Sequence, residues 1–224
     1  MTATASPMAA LASPWRKKSE RLQDREIKRV AVLRAAAQVF NERGFQAATL
    51  DEVAARLNVS KPTLYYYVKS KDDILFQCVH TALSMMKQAV DDVRAAGGHA
   101  MDRLNAAMRE YIHIVTQDFG MCVIRVGEDP LPPESRAELR RMKAAIDREF
   151  RDLVREGIHE GLVAPCDPKI AAFMIAGALS WVGRWYRPDG ELSSTEIADQ
   201  LIELVQRSLC GGHPTLPPNS LKHP

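Results

Sequence analysis

Between Thr49 and Ile74 the chain reads TLDEVAARLNVSKPTLYYYVKSKDDI, and this stretch restricts the possible folds more than any other. It holds three helix starts in close succession. Thr49 and Glu52 have capping-box spacing, in which each side chain satisfies a backbone N–H that a first helical turn leaves free. Leu50, Val53, Ala54 and Leu57 then supply a buried face, and Asn58 closes the helix because it tolerates left-handed backbone better than most residues. Ser60 stands at the cap of the next helix, with Pro62 in its first turn, where no hydrogen bond is lost. That helix is expected to run to about Val68, and Ser70 with Asp73 caps the one after it. Two short helices joined by Asn58-Val59-Ser60 have helix-turn-helix geometry, and Ala54 is small enough to let them cross closely. Leu64 and Val68 face the core, leaving Lys61, Thr63, Tyr65, Tyr66 and Tyr67 toward solvent.

Those outward residues suit DNA. Three consecutive tyrosines fit poorly in a core, since each buried hydroxyl needs a partner. Beside DNA a phenol can donate to phosphate while its ring meets thymine methyl groups. Thr49 and Lys71 each begin a helix, so a side-chain donor coincides with free backbone N–H groups and a positive dipole end, a good place for a phosphate. Charge agrees. Residues 1–75 carry 13 Lys and Arg against 8 Asp and Glu, whereas the remainder carries 17 against 20. A basic N-terminal third joined to a mildly acidic remainder fits a nucleic-acid reader fused to a module with another task.

The rest of the chain has helical patterning throughout and no strand alternation, which predicts an all-α protein. Ile27, Val30, Ala31, Leu33, Ala37, Val39 and Phe40 mark a helix ending at Arg43-Gly44. A long helix is expected from Ser70 to about Ala95, broken by Ala96-Gly97-Gly98. Further helices are expected over 100–117, 133–160, 169–186 and 193–209, punctuated by Pro130, Pro132, Pro133, Pro165, Pro168 and Pro188. Residues 1–21, Ala/Ser/Pro-rich and turning basic at Arg16, Lys17 and Lys18, are expected to be a disordered arm. The domain reading is 22–75 for DNA, 76–210 for a helical ligand-binding and dimerisation unit, and 211–224 as a loose tail.

Several function classes are disfavoured. Cys78, Cys122, Cys166 and Cys210 are scattered, without C-x-x-C pairs or histidines at ligand spacing, so neither a zinc site nor a secreted disulfide framework is expected. No apolar run is long enough to span a bilayer, and the N-terminus lacks the order of a signal peptide, pointing to the cytoplasm. The chain has no Gly-rich phosphate loop, no G-x-S-x-G elbow and no H-E-x-x-H pair, so no catalytic residues are assigned. The alternative to a DNA reader is a helical protein-interaction adaptor that binds partners through its tryptophan-rich face.

The run AAAQVFNERGFQAATLDEVAARLNVSKPTLYYYVKSKDDIL resembles the DNA-binding domain of the TetR family of bacterial one-component regulators. The resemblance covers about Ile27 to Leu75. It implies a homodimer that binds double-stranded operator DNA through three N-terminal helices and a small effector through a larger helical domain. By position, Thr49, Tyr65 and Lys71 match phosphate-contacting residues, while Lys61, Thr63 and Tyr66 match positions near base edges or neighbouring backbone; Ser60, at the helix start, is a further DNA-binding candidate. Two departures stand out: Asn58 replaces the usual turn glycine, and Tyr67-Val68 replaces a frequent His-Phe pair.

In that family a short helix such as MCVIRV, here containing Arg125 between Gly120 and Gly127, commonly transmits ligand binding, and the two glycines are candidate hinges. The stretch FMIAGALSWVGRWYRPDG and the helix after it look like a dimeric four-helix interface, with small residues for close approach and Trp181 and Trp185 for contact area. Arg184 and Arg187 are candidates to stack on those tryptophans or to bind an anionic group of a ligand. The ending also resembles a subgroup controlling degradation of lipids, sterols or aromatic acids, several of whose members sense coenzyme A thioesters. The expected mechanism is repression, relieved by an apolar or acyl-CoA effector. Candidate effector contacts are Met121, Ile124, Arg125, Arg140, Met142, Phe150, Met174, Trp181 and Arg184, with methionines fitting a flexible apolar guest and arginines its phosphates. No cofactor or metal is expected.

Overall fold

A computed structural model describes residues 18–211, and side chains from residue 22 onward. Among the described residues the chain is helical and has no strand. The helices are α1 (Lys18–Arg43), α2 (Leu50–Arg56), α3 (Lys61–Tyr65), α4 (Lys71–Ala96), α5 (Ala100–Val115), α6 (Asp118–Arg125), α7 (Pro133–His159), α8 (Pro168–Trp185) and α9 (Ser194–Cys210). Because α1 starts at Lys18, the last residues expected in the arm are already helical; the rest of that arm and the tail after Gly211 lie outside the described residues.

The first three helices share a small core of Leu33, Ala36, Phe40, Val53 and Leu64. Ile27, expected on that face, is 61% exposed. It lies about two and a half turns before Ala36 and therefore on the opposite side of α1. The capping box forms in both directions: the Glu52 N–H donates to Thr49 Oγ1 (3.2 Å) and the Thr49 N–H to Glu52 Oε2 (2.9 Å). Asn58 takes φ of 53°, the left-handed geometry its turn requires. Ser60 does not cap α3 with its side chain. Its carbonyl already accepts the Thr63 N–H (2.9 Å), and its hydroxyl lies 2.8 Å from the Thr63 hydroxyl instead. Helix α3 is also shorter than expected. It tightens after Tyr65 into a turn in which the Tyr67 N–H donates to Leu64 O (2.8 Å).

Helix α4 passes from this unit into the larger one, burying Ile74, Leu75, Cys78, Val79, Ala82, Leu83, Met86 and Val90 at helical spacing. It packs against α1, α5, α6 and α7, while α8 packs on α5, α6 and α7, and α9 mainly on α5. A network of charges ties three of these helices together: Arg94 of α4 meets Glu149 (2.6 Å) and Glu156 (3.0 Å) of α7, and Arg103 of α5 also meets Glu156 (2.9 Å). Helix α6 begins earlier than expected and contains Gly120 within it. A Cβ there would lie 1.9 Å from the Ile114 carbonyl oxygen, so only glycine allows α6 to cross the end of α5 this closely. Gly127, with φ of 72°, turns the chain out of α6.

Candidate nucleic-acid interface and effector cavity

Helix α3 presents its functional side chains by burying the others. Leu64 and Val68 are enclosed, while Lys61, Thr63, Tyr65 and Tyr66 are exposed, the two tyrosines at 51% and 65%. Tyr67 turns inward and packs on the core, with its ring edge-on to that of Tyr66. The tyrosine run is therefore divided: two rings are exposed and one anchors the helix. Exposed phenols beside a lysine are what phosphate and methyl contacts need.

The surrounding residues hold these groups in place. Lys61 Nζ lies 2.9 Å from Asp51 Oδ2, bridging α3 to α2. The half-exposed Lys71 sits 4.5 Å above the Phe45 ring, and its ammonium donates to Gln46 O (3.3 Å). Its position at the start of α4 is thereby fixed before any phosphate arrives. Arg25 of α1 lies 5.2 Å from the Tyr66 ring centre. Neither Arg25 nor Asp51 was legible as a site residue, because each gains its place only when α1, α2 and α3 come together.

A cavity of about 380 Å³ lies in the larger unit, walled by Leu83 and Met86 of α4, Tyr111 of α5, Ile124 of α6, Ile146 and Phe150 of α7, and Phe173 and Ser180 of α8. Inside it the Tyr111 and Ser180 hydroxyls are 2.8 Å apart. Burial pushes the Tyr111 phenol above its usual range, and the bond to Ser180 offsets only part of that shift. Lys143 and Asp147 also line the cavity. Asp147 pairs with Arg151, itself over the Phe173 ring at 5.2 Å, and leaves Oδ1 buried without a partner. The space is mostly apolar, with a few polar groups to orient a guest.

Only Ile124 and Phe150 of the expected effector contacts line this cavity. Met142 packs into the core from α7. Met174 and Trp181 lie on the outer side of α8, since that helix buries Ala172, Ile175, Leu179 and Val182 and meets the cavity through Phe173, Ala176 and Ser180. Arg140 reaches away to Glu128 (3.3 Å) and Asp129 (3.5 Å). Met121, Arg125 and Arg184 line a different cavity, beside the end of α8. The Arg125 guanidinium donates to Gly183 O (2.8 Å) and Tyr186 O (3.1 Å), closing the C-terminus of α8. No cation–π contact to a tryptophan forms among the described residues; Arg184 and Arg187 project from the end of α8 and its loop without stacking. Tyr111, Lys143, Asp147, Phe173 and Ser180 were missed. A tyrosine in the apolar register of α5, needing a buried hydrogen-bond partner, was the one available signal.

Helix α6 joins the two sites. Ile124 near its end meets the cavity, while Asp118 at its start meets α1: Gln38 Nε2 donates to Asp118 Oδ2 (3.0 Å) and Asn41 Nδ2 to Asp118 O (2.9 Å). Gln38 also accepts from Arg56 of α2 (3.4 Å), which is held by Glu42 (2.8 Å). Along the outer side of α8, Ile170, Met174, Trp181 and Trp185 are exposed, Trp181 by 65%. No described helix is long and apolar enough to cross a membrane.

Known proteins share this layout. The profile for tetR-family bacterial regulatory proteins matches residues 32–78, and that for a tetracyclin repressor-like C-terminal domain matches 97–209. An HTH-type transcriptional regulator of Bacillus subtilis, YhgD, is 25% identical over 180 residues, covering 80% of this chain and 94% of its own. The HTH-type transcriptional repressor KstR2 of Mycobacterium tuberculosis is 23% identical over 185 residues, covering 80% and 90%. Among solved structures, AibR in complex with isovaleryl coenzyme A and operator DNA superposes with a TM-score of 0.70 at 26% identity, covering 79% of this chain and 96% of that one.

Proposed function

Because this chain belongs to the TetR family of bacterial regulatory proteins, we propose that it is a dimeric repressor whose operator affinity is set by an apolar or acyl-CoA-type effector. The DNA reader is residues 22–75, with Thr49, Tyr65 and Lys71 on phosphates and Lys61, Thr63 and Tyr66 nearest the bases. Residues 76–210 bind effector and pair the protomers. The exposed apolar stripe of α8 supports that pairing, since a row containing Met174, Trp181 and Trp185 is costly to leave in water. An effector cavity of 380 Å³ suits a short acyl chain. That size and the isovaleryl coenzyme A bound by AibR favour a small branched or short acyl group over a long one. We assign the chain no catalytic role.

The observation that carries this reading is the double attachment of α6, to the cavity through Ile124 and to α1 through Asp118. Helix α4 supplies a second connection, carrying Lys71 at one end and Leu83 and Met86 in the cavity wall. An effector that prefers a displaced α6 shifts the population toward dimers whose two recognition helices no longer match major grooves about 34 Å apart. Fluorescence anisotropy on DNA from upstream of the protein's own gene tests this, with salt titration and added short-chain acyl-CoAs. Competitor-resistant, salt-sensitive binding relieved by one thioester is the expected result. Specific binding that no thioester or free acid alters would remove the effector assignment; binding without sequence preference would remove the operator assignment for that DNA.

A further inference from the structure

Across the α6–α8 crossing from the apolar cavity lies a second one of about 710 Å³, and its lining is cationic. Arg125 of α6, Arg184 at the end of α8 and Arg187 in the following loop all face it, together with Asn41 of α1 and one acid, Asp189. Several arginines elsewhere in the larger unit close onto carboxylates, as Arg94, Arg103, Arg109, Arg151 and Arg207 do. Arg136, Arg141 and Arg148 of α7 pair with no described carboxylate but line neither this cavity nor the apolar one. The side chains of Arg184 and Arg187 make no hydrogen bond or ion pair with any described residue, and Asp189 is beyond ion-pair reach of all three arginines. Arg125 uses two of its N–H groups on carbonyls and keeps the rest free. Burial, followed by the charges of Arg184 and Arg187, lowers the pKa of the Arg125 guanidinium. Three guanidiniums thus share one opening with little negative charge to balance them. An anion relieves that repulsion, and guanidinium forks match phosphate oxygens in geometry.

We propose that this cavity is a binding site for a phosphate-class polyanion, separate from the apolar effector cavity. The separation is built by the helices. Ile124 faces the apolar space and its neighbour Arg125 the cationic one. Between them α6 and α8 touch so closely that a Cβ on Gly183 would lie 3.0 Å from Ile124 Cγ1. The site also touches the joint described above, because Arg125 holds the end of α8 and Asn41 binds the start of α6. The anion's source is either the diphosphate of a nucleotide-bearing effector or a free phosphate compound. The site does not depend on the apolar-effector reading and stands if that reading fails.

Isothermal titration of the full-length protein with pyrophosphate, and separately with coenzyme A, tests the site in the absence of DNA. Pyrophosphate is expected to bind saturably and to perturb tryptophan fluorescence, since Trp185 lines the cavity. The R184Q/R187Q variant, changed at two exposed positions, is expected to bind at least about tenfold more weakly, as loss of two charge-assisted contacts implies. Arg148→Gln, which removes an exposed cation of α7 outside this cavity, is expected to bind as the native protein does. Coenzyme A bound through the same arginines identifies the diphosphate of a nucleotide-bearing molecule; pyrophosphate binding alone identifies a free anion. No saturable binding of either probe, or equal binding by R184Q/R187Q, overturns the proposal. So does an R184Q/R187Q protein that dissociates into monomers while the native protein binds no anion, because the arginines would then serve a carboxylate of the second copy.

Discussion

The DNA-facing unit and the effector unit are stabilised in opposite ways. In the first, helix ends and turns are set by residues a few positions apart: Thr49 with Glu52, Ser70 with Asp73, and Asn58 in its left-handed turn. In the second, the cavity wall is assembled from residues as far apart as Leu83 and Ser180, and close contacts such as Gly120 against Ile114 hold it together. A reader whose elements are fixed locally keeps its recognition surface while the helices beneath it shift. A sensor assembled from distant segments can respond to a guest, since its shape depends on how five helices lean on one another.

The comparison is broken most forcefully at the α5–α6 crossing. Gly120→Val forces a side chain into the Ile114 carbonyl and is expected to destabilise the protein by about 3 kcal/mol, within the range of core overpacking. Urea unfolding measures it, and a change below about 1 kcal/mol would show that the crossing yields more readily than its geometry implies. Thr49→Ala tests the locally built unit. Loss of the capping box is expected to cost about 1 kcal/mol, with a further loss of DNA affinity if Thr49 also meets phosphate. Stability lowered with unchanged DNA binding would leave Thr49 as a cap alone.

Smaller effects sharpen the assignment of the reader's surface. Lys71→Ala is expected to weaken binding to every sequence and to reduce the salt slope by about one unit. A loss confined to one sequence contradicts a phosphate contact. Lys61→Ala and Thr63→Ala are expected to change the preferred site, read by competition among operator variants; unchanged preference removes them from base reading. Asn58→Gly is expected to change stability least, by a few tenths of a kcal/mol in either direction. Glycine adopts the left-handed turn without strain but gives up more unfolded-state entropy.

The same contrast explains what the sequence disclosed. Caps, turn and outward tyrosines were legible because their physics is confined to a few successive residues. The exceptions were Ser60, whose hydroxyl found Thr63 rather than a backbone N–H, and Tyr67, which turned inward. Helix order in the larger unit was legible from periodicity, but its cavity was not. Met174, Trp181 and Arg140 had suitable chemistry on faces that turn away, whereas Tyr111, Asp147 and Ser180 gained their roles by meeting across three helices. Periodicity tells which side of a helix is apolar; it does not tell which apolar positions meet a void.

The central claim is that α6 carries effector binding to the reader through Asp118 and Gln38. Its most direct test is operator affinity of the Gln38→Ala/Asp118→Ala double variant, with and without the acyl-CoA that releases the native protein, alongside effector affinity measured without DNA. The account predicts that effector still binds with its native affinity, while its effect on operator affinity falls by at least about tenfold, or 1.4 kcal/mol of coupling. Native coupling in that variant would contradict it and move transmission to α4.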